Sequence, residues 1–153
     1  MRLTLQTDYG LRALLFLAVR PGEVVPIGEV AAAYGVSVHH LTKVGQLLAH
    51  RGYVEQVRGA RGGVRLARDP GSISIGAVVR DLEPSLALVE CFEPDTNTCV
   101  LAPACELKRI LAAAQRAFLA ELDRHTLADA ARRPRALAAL LIPREALTEG
   151  RRR

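Results

Sequence analysis

A chain of 153 residues supports one domain, or one domain with an appendage. Half of it is apolar, only 4% is aromatic and no Trp is present, so the core rests on Leu, Val and Ala, and Leu and Ala favour helices. The longest early apolar run, Ala13 to Val19, is too short to span a bilayer, and Asp8 and Arg12 interrupt its approach. That pattern gives no signal peptide or membrane span and predicts a cytoplasmic protein, where thiols stay reduced. The net charge of +5 is unevenly placed: residues 37–68 hold Lys43, Arg51, Arg58, Arg61, Arg65 and Arg68 against Glu55 alone. A local basic excess of this kind is either a solvated face or the footprint of a nucleic acid.

The elements are predicted in chain order. A first helix runs from about Thr7 to Val19, with Leu11, Leu14, Leu15 and Ala18 on one face and Thr7 or Asp8 as its cap. Pro21-Gly22 ends it. Pro26 opens a short second helix, Ile27 to Tyr34, and Gly35 follows as a turn. Ser37 then caps a third helix through about His50, with Leu41, Val44, Leu47 and Leu48 on its inner face. Two helices joined by a tight Gly-containing turn make a helix-turn-helix. Tyr53 to Val57 and Val64 to Ala67 alternate around a Gly-rich turn, which reads as a β-hairpin, a wing. Ser72 or Ser74 caps a fourth helix, Ile75 to Leu82.

A Pro/Asp/Thr/Asn-rich connector follows, from about Pro84 to Ala104. It holds Cys91 and Cys99, and Cys105 follows directly; these are the chain's three cysteines, with gaps of seven and five residues. A long helix then starts near Pro103, placing Cys105 in its first turn. Its stripe of Leu107, Ile110, Leu111, Ala114, Ala117, Phe118, Leu122 and His125 needs a partner, and a second copy of the chain is the economical choice. Thr126 and Leu127 begin a shorter helix, and Pro134 and Pro143 break the remainder. The class is therefore mainly α: a winged helix-turn-helix over residues 1–83, a cysteine loop over 84–104, a dimerisation helix and C-terminal helix over 105–143, and a flexible tail over 144–153.

On the third helix Ser37, His39, His40, Lys43 and Gln46 lie on or near the exposed side, so its N-terminal part fits a major groove. In the wing Arg58, Arg61 and Arg65 surround Gly62 and Gly63; the glycines permit close approach to a backbone or minor groove, and the arginines supply phosphate contacts. Adjacent His39 and His40 point about 100° apart on a helix and do not share a metal easily. They read as solvent- or DNA-facing side chains. His50 reads as a helix-end cation and His125 as a stripe residue.

The cysteines admit three readings. They are buried thiols acting as small hydrophobes, or a zinc site lacking its usual close Cys pairs and fourth ligand, or ligands of an iron–sulfur cluster, which accepts wider spacing. A first-turn position favours a Cys105 thiolate through the helix dipole. With three thiolates one iron needs another ligand. No base–orienter constellation and no phosphate-cradling Gly loop is present, so no enzymatic activity is expected.

Four segments, MRLTLQTDYGLRALLFLA, LTKVGQLLAHRGYV, RGARGGVRLA and CFEPDTNTCVLAPAC, resemble the Rrf2 superfamily of winged-helix regulators over nearly the whole chain. The cysteine pattern resembles the NsrR family of nitric-oxide-sensing repressors. That resemblance implies a homodimer with one [4Fe-4S] cluster per subunit, held by Cys91, Cys99, Cys105 and by Asp8 from the partner's first helix, with Arg12 near the cluster. It implies that the cluster-loaded dimer represses at a double-stranded DNA operator, and that nitric oxide nitrosylates the cluster and releases DNA. The pattern differs from the cluster-assembly regulators of the superfamily, since the first gap is seven residues and Lys108 stands where they carry a histidine. Gly10 stands where the superfamily commonly has Ala, and should loosen the first helix slightly. The alternative is a winged-helix regulator of the same superfamily responding to thiol oxidation, another metal or iron–sulfur status.

Overall fold

The computed structural model describes residues 2–141. Helix α1, Leu5–Ala18, is the element around which the others pack. Ala13, Leu14, Phe16 and Leu17 are buried, and Leu11, Leu15 and Ala18 are packed against the same core. Its apolar face is thus wider than the single stripe expected, because α1 is enclosed on several sides by later elements. The helix also starts earlier than expected. Thr4, not Thr7 or Asp8, is the N-cap: its side chain accepts the Thr7 N–H at 3.3 Å. Thr7 is fully buried and Asp8 lies in the first turn.

Helix α2, Ile27–Tyr34, and helix α3, Val38–His50, match the expected helix-turn-helix. Gly35 joins them at φ 63°, a left-handed conformation that costs glycine nothing. The Val36 N–H bonds the Ala31 carbonyl at 3.0 Å, closing the end of α2 in the manner of a Schellman motif. Ser37 is the N-cap of α3, but its side chain makes no capping hydrogen bond. Leu41, Val44 and Leu48 turn inward, and the long polar side chains turn out.

Strands β1, Val54–Val57, and β2, Gly63–Leu66, form the antiparallel wing, with Val54 opposite Leu66 and Glu55 opposite Arg65. Val25 bridges to Val64 through two 2.8 Å backbone hydrogen bonds, so the segment before α2 adds a single rung to the wing on the free side of β2. Nothing in a two-strand alternation pattern signals that rung.

Helix α4, Ile75–Leu82, is capped by Ser74, whose side chain accepts the Ala77 N–H at 3.3 Å. Helix α5, Glu106–Asp123, returns along it. Arg80 and Asp123 join the two in a two-pronged ion pair. Helix α6, Leu127–Ala130, opens with a reciprocal capping box between Thr126 and Asp129. Helix α7, Pro134–Leu141, begins at Pro134. Pro134 thus stands at the break between α6 and α7, at a first helical position where proline loses no needed donor. Pro143 and the expected tail lie outside the described residues. No helix among the described residues is long and apolar enough to cross a membrane.

Candidate nucleic-acid interface and cysteine connector

The exposed side of α3 carries Ser37, His39, His40, Lys43 and Gln46, all open to solvent. The imidazoles of His39 and His40 stand 6.1 Å apart, tilted at 49°. Beside α3 a groove of about 450 Å³ runs between Ile27, Gly28, Thr42 and Gly45 and the wing residues Val57 to Gly59. Helix, groove and wing form one continuous face. Lys43 on α3 and Arg58 and Arg61 on the wing have no ion-pair partner among the described residues.

The other arginines of the basic window are engaged. Arg65 pairs with Glu55 directly across the wing at 2.8 Å, which neutralises its charge locally. Arg68 donates to the Gly52 and Arg51 carbonyls at 2.7 and 2.9 Å and lies 4.7 Å over the Tyr53 ring. It therefore closes the C-terminal end of α3. Beneath it Tyr53 donates to Asp81 at 2.6 Å, and burial, with that hydrogen bond, pushes the Tyr53 phenol far above its ordinary range. Gly62 turns back on Gly59 through a 2.9 Å hydrogen bond. Gly63, paired with Val57 beside the turn, has its α-carbon pressed on the Val25 backbone, where a Cβ would stand 2.2 Å from the Val25 carbonyl oxygen.

The connector after α4 is held by side chains rather than by a ladder. It contains only 3-10 turns at Glu90–Phe92 and Ala102–Ala104. Glu90 accepts the Thr98 N–H at 2.6 Å and the Thr98 hydroxyl at 2.7 Å. Those bonds hold the Glu90 carboxyl below the usual carboxylate range. Ser85 donates to Glu93, Asn97 accepts the Cys99 N–H at 3.0 Å, and Gln115 of α5 donates to the Leu86 carbonyl. Cys91, Cys99 and Cys105 are free thiols, each half-buried.

Cys105 is the N-cap of α5, not a first-turn residue as expected, because the helix begins at Glu106. Its sulfur accepts the Lys108 N–H at 3.4 Å, the place a serine or aspartate oxygen ordinarily takes. The expected convergence of the three sulfurs is not present within one subunit: among the described residues no three His, Cys, Asp or Glu side chains gather closely enough to hold a metal ion. The donor chemistry nevertheless fits an iron–sulfur group, since three soft, unpaired, accessible thiols share one connector.

Asp8 borders an open pocket with Arg2, Leu3 and Leu5. Arg12 holds it with two prongs, Nε to Oδ1 at 3.0 Å and Nη2 to Oδ2 at 2.8 Å. Tyr34 of α2 donates to the Arg12 carbonyl at 2.9 Å, and burial pushes its own phenol up to about 12. Asp8 is thus tied through Arg12 to the helix-turn-helix, a link the sequence does not reveal. The stripe of α5 is open: Leu107 and Ile110 are 60% and 58% exposed, and no α5 residue is buried. Val100 and Leu101 just before it are exposed as well.

A recognition helix, a basic wing and a groove between them define a winged-helix DNA-binding regulator. The Rrf2 family, described as iron-dependent transcriptional regulator, matches residues 3–133, and the chain belongs to that family. It is 50% identical over 130 residues to the HTH-type transcriptional regulator NsrR of Bacillus subtilis (strain 168), covering 84% of this chain and 89% of that one. It is 51% identical over 130 residues to the protein of that name from Geobacillus kaustophilus (strain HTA426), covering 84% and 88%. Among solved structures it is similar to CymR, the global cysteine regulator of B. subtilis, with a TM-score of 0.71 at 28% identity, covering 86% of this chain and 96% of that one. It is similar also to T. potens IscR, with a TM-score of 0.68 at 29% identity, covering 86% and 87%.

Proposed function

We propose that the protein is a cytoplasmic, homodimeric transcriptional repressor whose DNA affinity depends on a [4Fe-4S] cluster and responds to nitric oxide. The observation that carries this reading is three free, half-buried cysteines on a connector that joins the DNA-binding unit to an open apolar helix. The roughly 50% identity to NsrR proteins supports it. In this reading Cys91, Cys99 and Cys105, with the partner subunit's Asp8, would hold the cluster, which would supply iron reactive towards nitric oxide.

The chain's own residues do the rest. Arg12 orients the Asp8 carboxylate, and each carboxylate oxygen keeps a lone pair beyond its bond to arginine. The α5 stripe of each subunit packs on its copy and removes Leu107 and Ile110 from water. Paired α5 helices fix the two copies of α3 about one DNA turn, ~34 Å, apart. His39, His40, Lys43 and Gln46 meet base edges, while Ser37, Arg58, Arg61, Arg65, Gly62 and Gly63 meet or approach the backbone and minor groove. A carboxylate reaching across the dimer couples the connector to that spacing.

The test is an anaerobic preparation reconstituted with iron and sulfide, followed by absorption and by operator binding as nitric oxide is added. Loss of the visible band together with release of the duplex is expected, and Cys99→Ala should show neither band nor response. A wild-type protein that stays colourless and binds its operator regardless of nitric oxide removes the reading.

A further inference from the structure

Glu90 and Thr98 stand immediately before Cys91 and Cys99. The two pairs therefore share one spacing in sequence, and closing Glu90 on Thr98 constrains the loop that Cys91 and Cys99 flank. The closure is specific: one Glu90 oxygen, Oε1, accepts both the backbone N–H and the hydroxyl of Thr98, at 2.6 and 2.7 Å. The span between them, Cys91 to Asn97, has Pro94, no strand and little apolar content, so it has no core of its own to order it. Asn97 then accepts the Cys99 N–H at 3.0 Å, which sets the direction in which the chain leaves the turn. Ser85 bonded to Glu93 ties the same turn back towards α4.

We propose that Glu90 is a positioning residue for the sulfur site, clasping Thr98 so that Cys91 and Cys99 are fixed on one closed turn before any metal binds. This rests on the reading of the cysteines as metal ligands. The physical gain is preorganisation. Closing a flexible loop costs conformational entropy, and a site whose loop is closed beforehand does not pay that cost on binding. A carboxylate suits the task because charge-assisted hydrogen bonds are the strong ones. Glu90 is a clasp in this account, since both donors of Thr98 converge on its Oε1.

The experiment uses the full-length, metal-free protein under anaerobic conditions, with Glu90→Ala, Glu90→Gln and, as a control for lost charge in the same turn, Asp95→Ala. Amide hydrogen exchange is read at Thr98, and Co²⁺ alone is titrated while the thiolate-to-cobalt absorption is recorded. Glu90→Ala should speed exchange at Thr98 and weaken Co²⁺ binding, each by about tenfold, as expected for loss of a charged hydrogen-bond acceptor. The absorption of the loaded variant should keep the wild-type band shape, since the ligands are unchanged. Glu90→Gln, whose amide oxygen still accepts from Thr98, should stay within about threefold of wild type, and Asp95→Ala nearer to wild type than to Glu90→Ala. Wild-type exchange and cobalt affinity in Glu90→Ala overturns the proposal, and so does an altered band shape, which makes Glu90 a ligand. If the wild type shows no thiolate band at all, the metal-centre reading fails, while exchange at Thr98 still decides whether the clasp exists.

Discussion

Glu83 caps helix α1 from the far end of the DNA-binding unit: one carboxylate oxygen accepts the Thr4 N–H at 2.8 Å and the Thr4 hydroxyl at 3.1 Å. In an ordinary capping box the residue three positions into the helix does this, but here that residue is the buried Thr7. Gln6 strengthens the joint by donating to the Leu82 carbonyl at 2.6 Å. The start of α1 and the start of the cysteine connector are thus one structural joint. Glu83→Ala should cost about 1 kcal/mol, as a lost cap does, and lower Tm by roughly 2–4 °C. Thermal unfolding of the metal-free protein checks this, and Thr4→Ala should be less than additive with it, because both remove the Thr4 hydroxyl bond to Glu83, although Thr4→Ala also removes the cap on the Thr7 N–H.

Gly10 and Leu82 form a second contact between the same two helices. A Cβ on Gly10 would stand 2.3 Å from the Leu82 Cδ1 and 3.6 Å from Val44. Gly10 therefore admits a close approach of α4, which corrects the expectation that it merely loosens α1. Gly10→Ala gains helix propensity of about 1 kcal/mol but overpacks a core position by about 1–3 kcal/mol, so a net loss is expected. A double-mutant cycle with Leu82→Ala should show positive coupling, the alanine at position 10 being tolerated once Leu82 is shortened. Strict additivity in urea unfolding would place the strain elsewhere.

The wing arginines should not behave alike. Arg61 has no ion-pair partner among the described residues, whereas Arg65 is held by Glu55. Arg61→Ala should reduce the steepness of the log–log salt dependence of DNA binding by roughly 1 per subunit, with Arg65→Ala having the smaller effect. Glu55→Ala should tighten binding, since it frees the Arg65 charge. Salt-titrated fluorescence anisotropy on one duplex measures all three variants, and equal slopes for Arg61→Ala and Arg65→Ala would show that the cross-strand pair opens on DNA.

Exposure of the α5 stripe predicts assembly through it. Leu107→Asp combined with Ile110→Asp should yield a folded monomer, because neither side chain contributes to the core of its own subunit. Sedimentation velocity and circular dichroism together read the outcome. A dimer that survives both changes would put the interface on another face.

Asp129 gives a pH signature. Hydrogen bonds from Thr126, with Arg132 alongside, hold its carboxyl at about 2, below the ordinary 3.8. A group depressed in the folded state stabilises above its unfolded pKa, and that contribution is lost as pH falls towards the folded value. Stability should therefore drop between about pH 4 and 2, and Asp129→Asn should flatten that portion of the curve while lowering stability at pH 7. Chemical unfolding at pH 7 and pH 3 tests it.

The sequence by itself determined the elements whose causes are local. Ile27 to Tyr34, the turn at Gly35 and the helix from Val38 to His50 follow from periodicity and one glycine, and the wing follows from alternation around a Gly-rich turn. The cysteine spacing and the apolar stripe of α5 were equally visible. Tertiary structure decided what depends on partners far along the chain. Thr4, the cap of α1, is held by Glu83, 79 residues further along, and Val25 joins the wing by a single rung. The fates of Arg65 and Arg68 depend on a strand register and an aromatic face, not on their own neighbours. Local patterning fixes backbone conformation because helix and hairpin bonds are short-range. Which polar group satisfies which other is set only when burial brings distant segments together, and no single-chain periodicity carries that information.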